Sequence, residues 1–233
     1  FLDSASLRSS IVSHSKTLGY VPTSARAAKA TVDVNLNTNS SSATMSAGTV
    51  FNASVDGVSY KFSTIADVTK SNSGGTISFT NTDIYEGTFI TTRYTVDTSD
   101  IDQRFLLTDN RADTSTLTVK VQTSSTDTTT NTFTEATDIT QVTASSNVYF
   151  LQEVEAGLYE IYFGDGVIGT ALSDDNIIIL TYIVSNKSAA NGASIFTNAA
   201  TIGGVSDVAV ATVAAASAGS EPETLQSIKY NAP

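Results

Sequence analysis

The sequence predicts a mainly β chain: antiparallel, sandwich-like β modules, with a helix at the N-terminal end and the start of another at the C-terminal end. Three observations carry this. Short β-prone runs with period-two alternation recur along the chain, as in Val32-Val34-Leu36 and Leu117-Val119-Val121. Glycine-based turn signals separate such runs, among them Asp56-Gly57 and Gly164-Asp165-Gly166. Helix-period patterns are confined to the two ends, and this segregation argues against a parallel α/β sheet.

The elements follow in chain order. Leu7, Ile11 and Leu18 recur at i, i+4 and i+11, which predicts one apolar helix face; Gly19 supplies the stop and Pro22 prevents resumption. An Ala-rich connector, 24–30, leads into the strand of Val32, Val34 and Leu36. Residues 37–46 read as a polar loop. Asp56-Gly57 predicts a hairpin between 51–55 and 58–62. Further strands are expected at 76–79, 87–96, 104–107 and 117–121, with Leu117, Val119 and Val121 inward. The Ser/Thr stretch 123–132 reads as a loop too polar to bury. Residues 147–151 return to the core.

The stretch 158–184 organises the rest. A short strand through Leu158, Ile161 and Phe163 meets the Gly164-Asp165-Gly166 turn, where glycines supply positive φ. After the Ser173–Asn176 polar patch, Ile177 to Val184 reads as a strand buried on both faces. A loop at 185–194 precedes a strand of small residues at 205–213. Ser220-Glu221-Pro222-Glu223 reads as a capping box, with Leu225 and Ile228 opening an apolar helix face. The expected divisions are 1–30 (helix and connector), 31–98 (first β module), 99–189 (second β module, with the turn) and 190–233 (returning strand and start of the C-terminal helix). The 98/99 boundary sits where polarity rises around Asp97 to Asp102.

Composition narrows the function. The 233 residues carry a net charge of −11, with 12 Lys and Arg in all, which speaks against a nucleic-acid surface. With no cysteine, disulfides and thiolate chemistry are excluded. No opening segment has the pattern of a signal peptide, and no window approaches the ~20 apolar residues of a membrane helix. A chain that starts without Met and stops at Pro233, inside a helical pattern, is expected to be an internal fragment.

The single histidine, His14, sits on the predicted helix, so any Ser-His-Asp arrangement would have to use it; a surface or packing role is favoured. Asp165, Asp174 and Asp175 lie near two turns and could act as a carboxylate pair or hold Ca²⁺, but Asp165 is the one carboxylate in its glycine turn, and turn formation is favoured. Glu153, Glu155 and Glu160 read as a solvated strand face. No catalytic, cofactor or metal residue is assigned, and no cofactor is expected.

Several segments together resemble a known family. Tyr162-Phe163-Gly164-Asp165-Gly166, followed by Gly169, Leu172 and Leu180-Thr181-Tyr182, resembles the FGDG segment of the baseplate wedge subunit of contractile-tailed phages, the baseplate J-like family. Ala47-Gly48-Thr49-Val50-Phe51 with Val55–Phe62, and the tail Ser227–Pro233, resemble that family's blocks in the same order. The Thr- and Ser-rich 123–146 departs from the pattern. The resemblance implies a non-enzymatic structural subunit of the tail baseplate in the virion, assembled in the host cytoplasm. Implied partners are other wedge proteins and a second copy of the chain, as a dimer, with no nucleic acid and no membrane. Leu7, Ile11, Leu225 and Ile228 are the interface candidates, because short apolar helices must be covered by something. The alternative is a surface-displayed carbohydrate-binding or adhesin β module, against which the absence of Trp counts. An enzyme acting on polysaccharide through carboxylates ranks last.

Overall fold

A computed structural model describes residues 6–198 and 200–232. The chain is mainly β, in three sheets. The first has the order β14-β1-β6-β4-β3. Its strands are β1 (Lys29–Asn37), β3 (Val50–Val55), β4 (Val58–Ser63), β6 (Thr76–Glu86) and β14 (Val208–Ser217). A two-stranded ribbon pairs β2 (Ser42–Met45) with β5 (Val68–Ser71). The other large sheet contains β7 (Thr88–Thr95), β8 (Phe105–Leu107), β9 (Ala112–Gln122), β10 (Thr130–Glu135), β11 (Val148–Glu153), β12 (Tyr159–Phe163) and β13 (Ile177–Val184), ordered β7-β13-β9-β10-β11-β12-β8.

Among the described residues the strands pair antiparallel except β10 and β11, where Thr134 and Glu135 run parallel to Val148 and Tyr149. The second sheet curls until its edges meet: the Tyr94 hydroxyl on β7 donates to the Leu106 carbonyl on β8 at 2.7 Å, and the Tyr94 and Phe105 rings pack edge to face. Curling buries the inner face without a covering layer.

Each large sheet has its own core. Val32, Val34, Leu36, Phe51, Phe62, Ile77, Phe79 and Ile84 fill the first, completed by Phe196 and Ala216 from the far end of the chain. Val119, Tyr159, Ile161, Ile178, Leu180 and Tyr182 fill the second. The second sheet is thus an insertion in the first. The polypeptide changes sheet at Gly87, ahead of the polar Asp97–Asp102 run, and comes back after Val184.

The Asp56-Gly57 hairpin forms as its turn chemistry dictates. Val55 pairs with Val58, and Asp56 and Gly57 both have positive φ (50° and 80°). The β13 register differs from the expectation of two buried faces. Ile178, Leu180 and Tyr182 are fully buried, but on the other face only Ile183 is, and Ile177 and Ile179 stay half-buried. One face of a curled sheet points inward, so the other has less to cover it.

Three strands fall where loops were expected or no strand was read. β2 lies inside 37–46, β10 takes the end of the Ser/Thr stretch, and β5 had no sequence reading. Of β10 only Phe133 is buried, so its Thr-rich remainder forms a strand without needing burial.

Helix α1 (Arg8–Thr17) buries Ile11, Val12 and Ser15. Leu7 and Leu18 are its cap residues and are 67% and 46% exposed, so the predicted Leu7-Ile11-Leu18 face is narrower than the spacing suggested. Gly19 does end the helix, at φ 75° with its N–H bonded to the Lys16 carbonyl.

The C-terminal cap is also displaced. Helix α2 (Leu225–Asn231) is capped by Thr224, whose hydroxyl accepts from the Ser227 N–H at 3.2 Å. Ser220 instead forms a bridge with Arg26, and the Glu223 N–H bonds the Thr23 carbonyl, so 220–223 runs extended beside 23–26. The Glu223 carboxylate still serves the helix, accepting from the Ser227 hydroxyl and the Asn231 amide. Thr224→Ala is therefore expected to lower stability by ~1 kcal/mol. Thermal melts of Thr224→Ala and Ser220→Ala, with the larger loss in the first, check the assignment.

Candidate functional site

The Gly164-Asp165-Gly166 turn is built by its neighbours. The Asp165 Oδ1 accepts from the N–H groups of Val167 and Ile168, both at 2.9 Å, and these bonds hold its carboxyl below the usual carboxylate range. Gly166 has φ 85°. Gly164 is needed for a different reason: it has no positive φ, but a Cβ there would sit 2.3 Å from the Gly169 carbonyl carbon and 2.4 Å from the Ile168 oxygen. Gly164→Ala is expected to cost more than Asp165→Asn, because Asn keeps an acceptor at the same position. Comparing the two midpoints in urea tests the ranking.

No catalytic constellation forms at the carboxylates singled out from sequence. Asp174 accepts from the Thr98 N–H at 2.9 Å, and Asp175 sits in a turn at φ 62°. Among the described residues, no three His, Cys, Asp or Glu gather as metal ligands would. His14 is exposed on α1.

Glu153 and Glu160 are not a solvated face; both are buried. Each is matched by an arginine distant in sequence. Arg8 on α1 grips Glu153 with two bonds, of 2.6 and 2.8 Å, and its third nitrogen donates to the Glu223 carbonyl. Arg104 holds Glu160 at 2.8 and 3.1 Å, and Tyr162 donates to the same carboxylate at 2.6 Å. A fork of guanidinium donors fits a carboxylate in this way and makes its burial tolerable. Glu155 alone of the three stays exposed.

The Arg8 ties join the two chain ends to the second sheet. Helices α1 and α2 pack against each other. Ile11 and Ile228 are fully buried by the chain itself, Leu225 is half-buried, and Leu7 remains open. A groove of about 600 Å³ runs along this seam past Arg8, Tyr159, Pro222 and Leu225.

Glu86 sits where the chain changes sheet and is completely buried. Its carboxylate accepts from the Asn186 backbone N–H at 2.8 Å and from the Asn186 side-chain amide at 2.7 Å. The outgoing and returning strands are thereby clasped together.

Two of the three buried glutamates, Glu86 and Glu160, titrate in opposite senses. Burial pushes the Glu86 carboxyl above its ordinary range, and the Asn186 bonds only partly offset it. Burial alone would push Glu160 up too, but its bonds from Arg104 and Tyr162 and the Arg104 charge hold it below the range. Stability linked to Glu160 is thus present above the unfolded carboxylate pKa and lost as pH falls through the folded one. For Glu86 the sign reverses: stability declines as pH rises from the unfolded pKa through the folded one. Carboxylate NMR titration is expected to give a midpoint above the ordinary glutamate value for Glu86 and below it for Glu160.

The geometry is that of a curled sheet with tied loops, in which the buried Glu153 and Glu160 are spent on internal ion pairs. Residues 88–199, a little under half of the chain, match the family model described as bacteriophage baseplate wedge protein gp6, third domain. No curated protein matches the chain. The matched segment opens at the first residue of β7 and contains every strand of the second sheet. The match supports a structural role and indicates the virion tail baseplate as the location.

Proposed function

We propose that this chain is a non-enzymatic structural subunit of a phage tail baseplate wedge of the baseplate J-like kind, assembling with neighbouring tail proteins and with a second copy of itself. The observation that carries the reading is the extent of the family match: its limits enclose the whole inserted sheet rather than one turn motif. The buried glutamates fit this role, because Glu153, Glu160 and Glu86 are committed to Arg8, Arg104 and Asn186 within the fold. Of the four terminal-helix interface candidates, Leu7 and Leu225 keep surface for a partner. In structural terms the working units are 28–87 with 190–217, and 88–184.

Mass spectrometry of washed tails from particles carrying this chain tests the reading. The chain is expected in several copies per baseplate, and amine cross-linking is expected to yield a dimer band. Its absence from washed tails overturns the proposal.

A further inference from the structure

We propose that the outer end of the second sheet, away from the Gly87 junction, is a docking surface for a neighbouring tail protein that presents a basic face around an apolar pocket. The inference rests on the baseplate reading above and adds the surface and the chemistry of its partner.

Three loops form this end: 97–103 between β7 and β8, 123–129 between β9 and β10, and 164–176 between β12 and β13. They are tied into one surface. The Thr98 N–H donates to Asp174 at 2.9 Å, the Val96 N–H to the Asn176 carbonyl at 2.8 Å, and the Asn176 amide to the Thr123 carbonyl at 2.8 Å. Large aliphatic side chains stand out from it. Ile101 is 97% exposed, Val167 73% and Ile168 41%. Isolated exposed aliphatics are ordinary on protein surfaces. These three differ because their loops are fixed to the same rim, and the backbone of Val167 and Ile168 is held by Asp165. A partner would meet side chains on loops that are already ordered, which lowers the entropy cost of binding.

Charge selects the occupant. The three loops contain Asp97, Asp100, Asp102, Asp127, Asp165, Asp174 and Asp175, and no lysine or arginine of their own; Lys16 and Arg104 line a hollow beside Ile101 and Asp102, where Arg104 is bonded to Glu160. A second copy offering the same rim would bring like charges face to face, which disfavours self-association here. Nucleic acid and anionic lipid are disfavoured for the same reason. A protein face with Lys and Arg around an apolar recess satisfies both features: charge steers the encounter, and burial of the aliphatics holds the complex.

The test uses baseplates purified from particles that carry this chain, treated with a zero-length carboxylate–amine cross-linker. The rim aspartates are expected to join lysines of a different tail protein. Separately, Ile101→Asp with Val167→Asp is expected to melt within a degree or two of the parent, since both side chains are exposed, yet to enter baseplates at least 10-fold less often. Lys substitutions at Asp100 and Asp102 are expected to reduce incorporation in the same direction. Three results overturn the inference: rim aspartates that stay uncross-linked in intact baseplates, cross-links only to a second copy of this chain, or variants that incorporate like the parent. A chain present in baseplates with a free rim refutes this inference alone. A chain missing from them refutes the baseplate reading as well.

Discussion

Gly87→Ala is expected to destabilise the chain by about 3 kcal/mol or more, well beyond the ~1 kcal/mol of an ordinary glycine substitution. Gly87 has φ 128°, and a Cβ there would lie 2.3 Å from the Val184 carbonyl oxygen, 2.7 Å from Ile183 Cγ2 and 2.9 Å from the Val184 carbonyl carbon. Two of these atoms are backbone in β13, which is paired on both sides and has no room to retreat. Gly57→Ala is the control: its φ is 80°, but nothing lies within 4 Å of the added carbon, so only conformational strain remains. Urea denaturation of both variants measures the difference. Equal losses would mean that the junction yields.

Leu180→Ala is expected to lower stability by ~2–5 kcal/mol. Leu180 is fully buried at the centre of β13, between Thr92 on one side and Val119 on the other. The cavity would open beside Tyr182, whose hydroxyl accepts from the Thr108 N–H at 3.2 Å and so limits collapse of the ring into the space. Hydrogen exchange read by mass spectrometry gives the finer result, with protection lost first in 88–184 because the two large cores are separate.

How far the sequence reaches depends on where each requirement originates. The Asp56-Gly57 hairpin was legible because its demand is local: two adjacent residues must take positive φ. The Ile177–Val184 run was legible through its β-branched density, although periodicity alone overstated its outer face. β10 was not, because Ser and Thr give almost no alternation when only Phe133 on the strand is buried, and β2 was not because its alternation, with Ala43 and Met45 inward, lasts only four residues. Glu153 and Glu160 looked solvated because the arginines that neutralise them lie 145 and 56 residues away. The role of Gly87 is equally invisible in its neighbourhood, since the obstacle is Val184. The cap at Thr224 was missed for a related reason: the bond from Glu223 to Thr23 keeps the preceding residues extended, and Ser220 cannot cap from there. The mutual covering of α1 and α2 likewise depends on two segments at opposite ends of the sequence. Of the blocks that carried the resemblance, the one around Gly164-Asp165-Gly166 falls within the segment that matches a baseplate wedge domain, while those at 47–62 and 227–233 lie outside it.

The clasp between Glu86 and Asn186 also bears on how such a chain can change over evolutionary time. The polypeptide leaves and rejoins the first sheet at points that touch, and no strand pairing of that sheet involves residues 88–184. A segment with adjacent ends can be traded for another of different length or surface while its host keeps every ladder it had. The 88–184 segment thus has the build of an exchangeable cassette: its outward loops can vary in length and surface, provided the Glu86-Gly87 and Val184–Asn186 doorway and the ties from the N-terminal segment, Arg8 to Glu153, Pro22 to Tyr159 and Ala27 to Asp113, are kept.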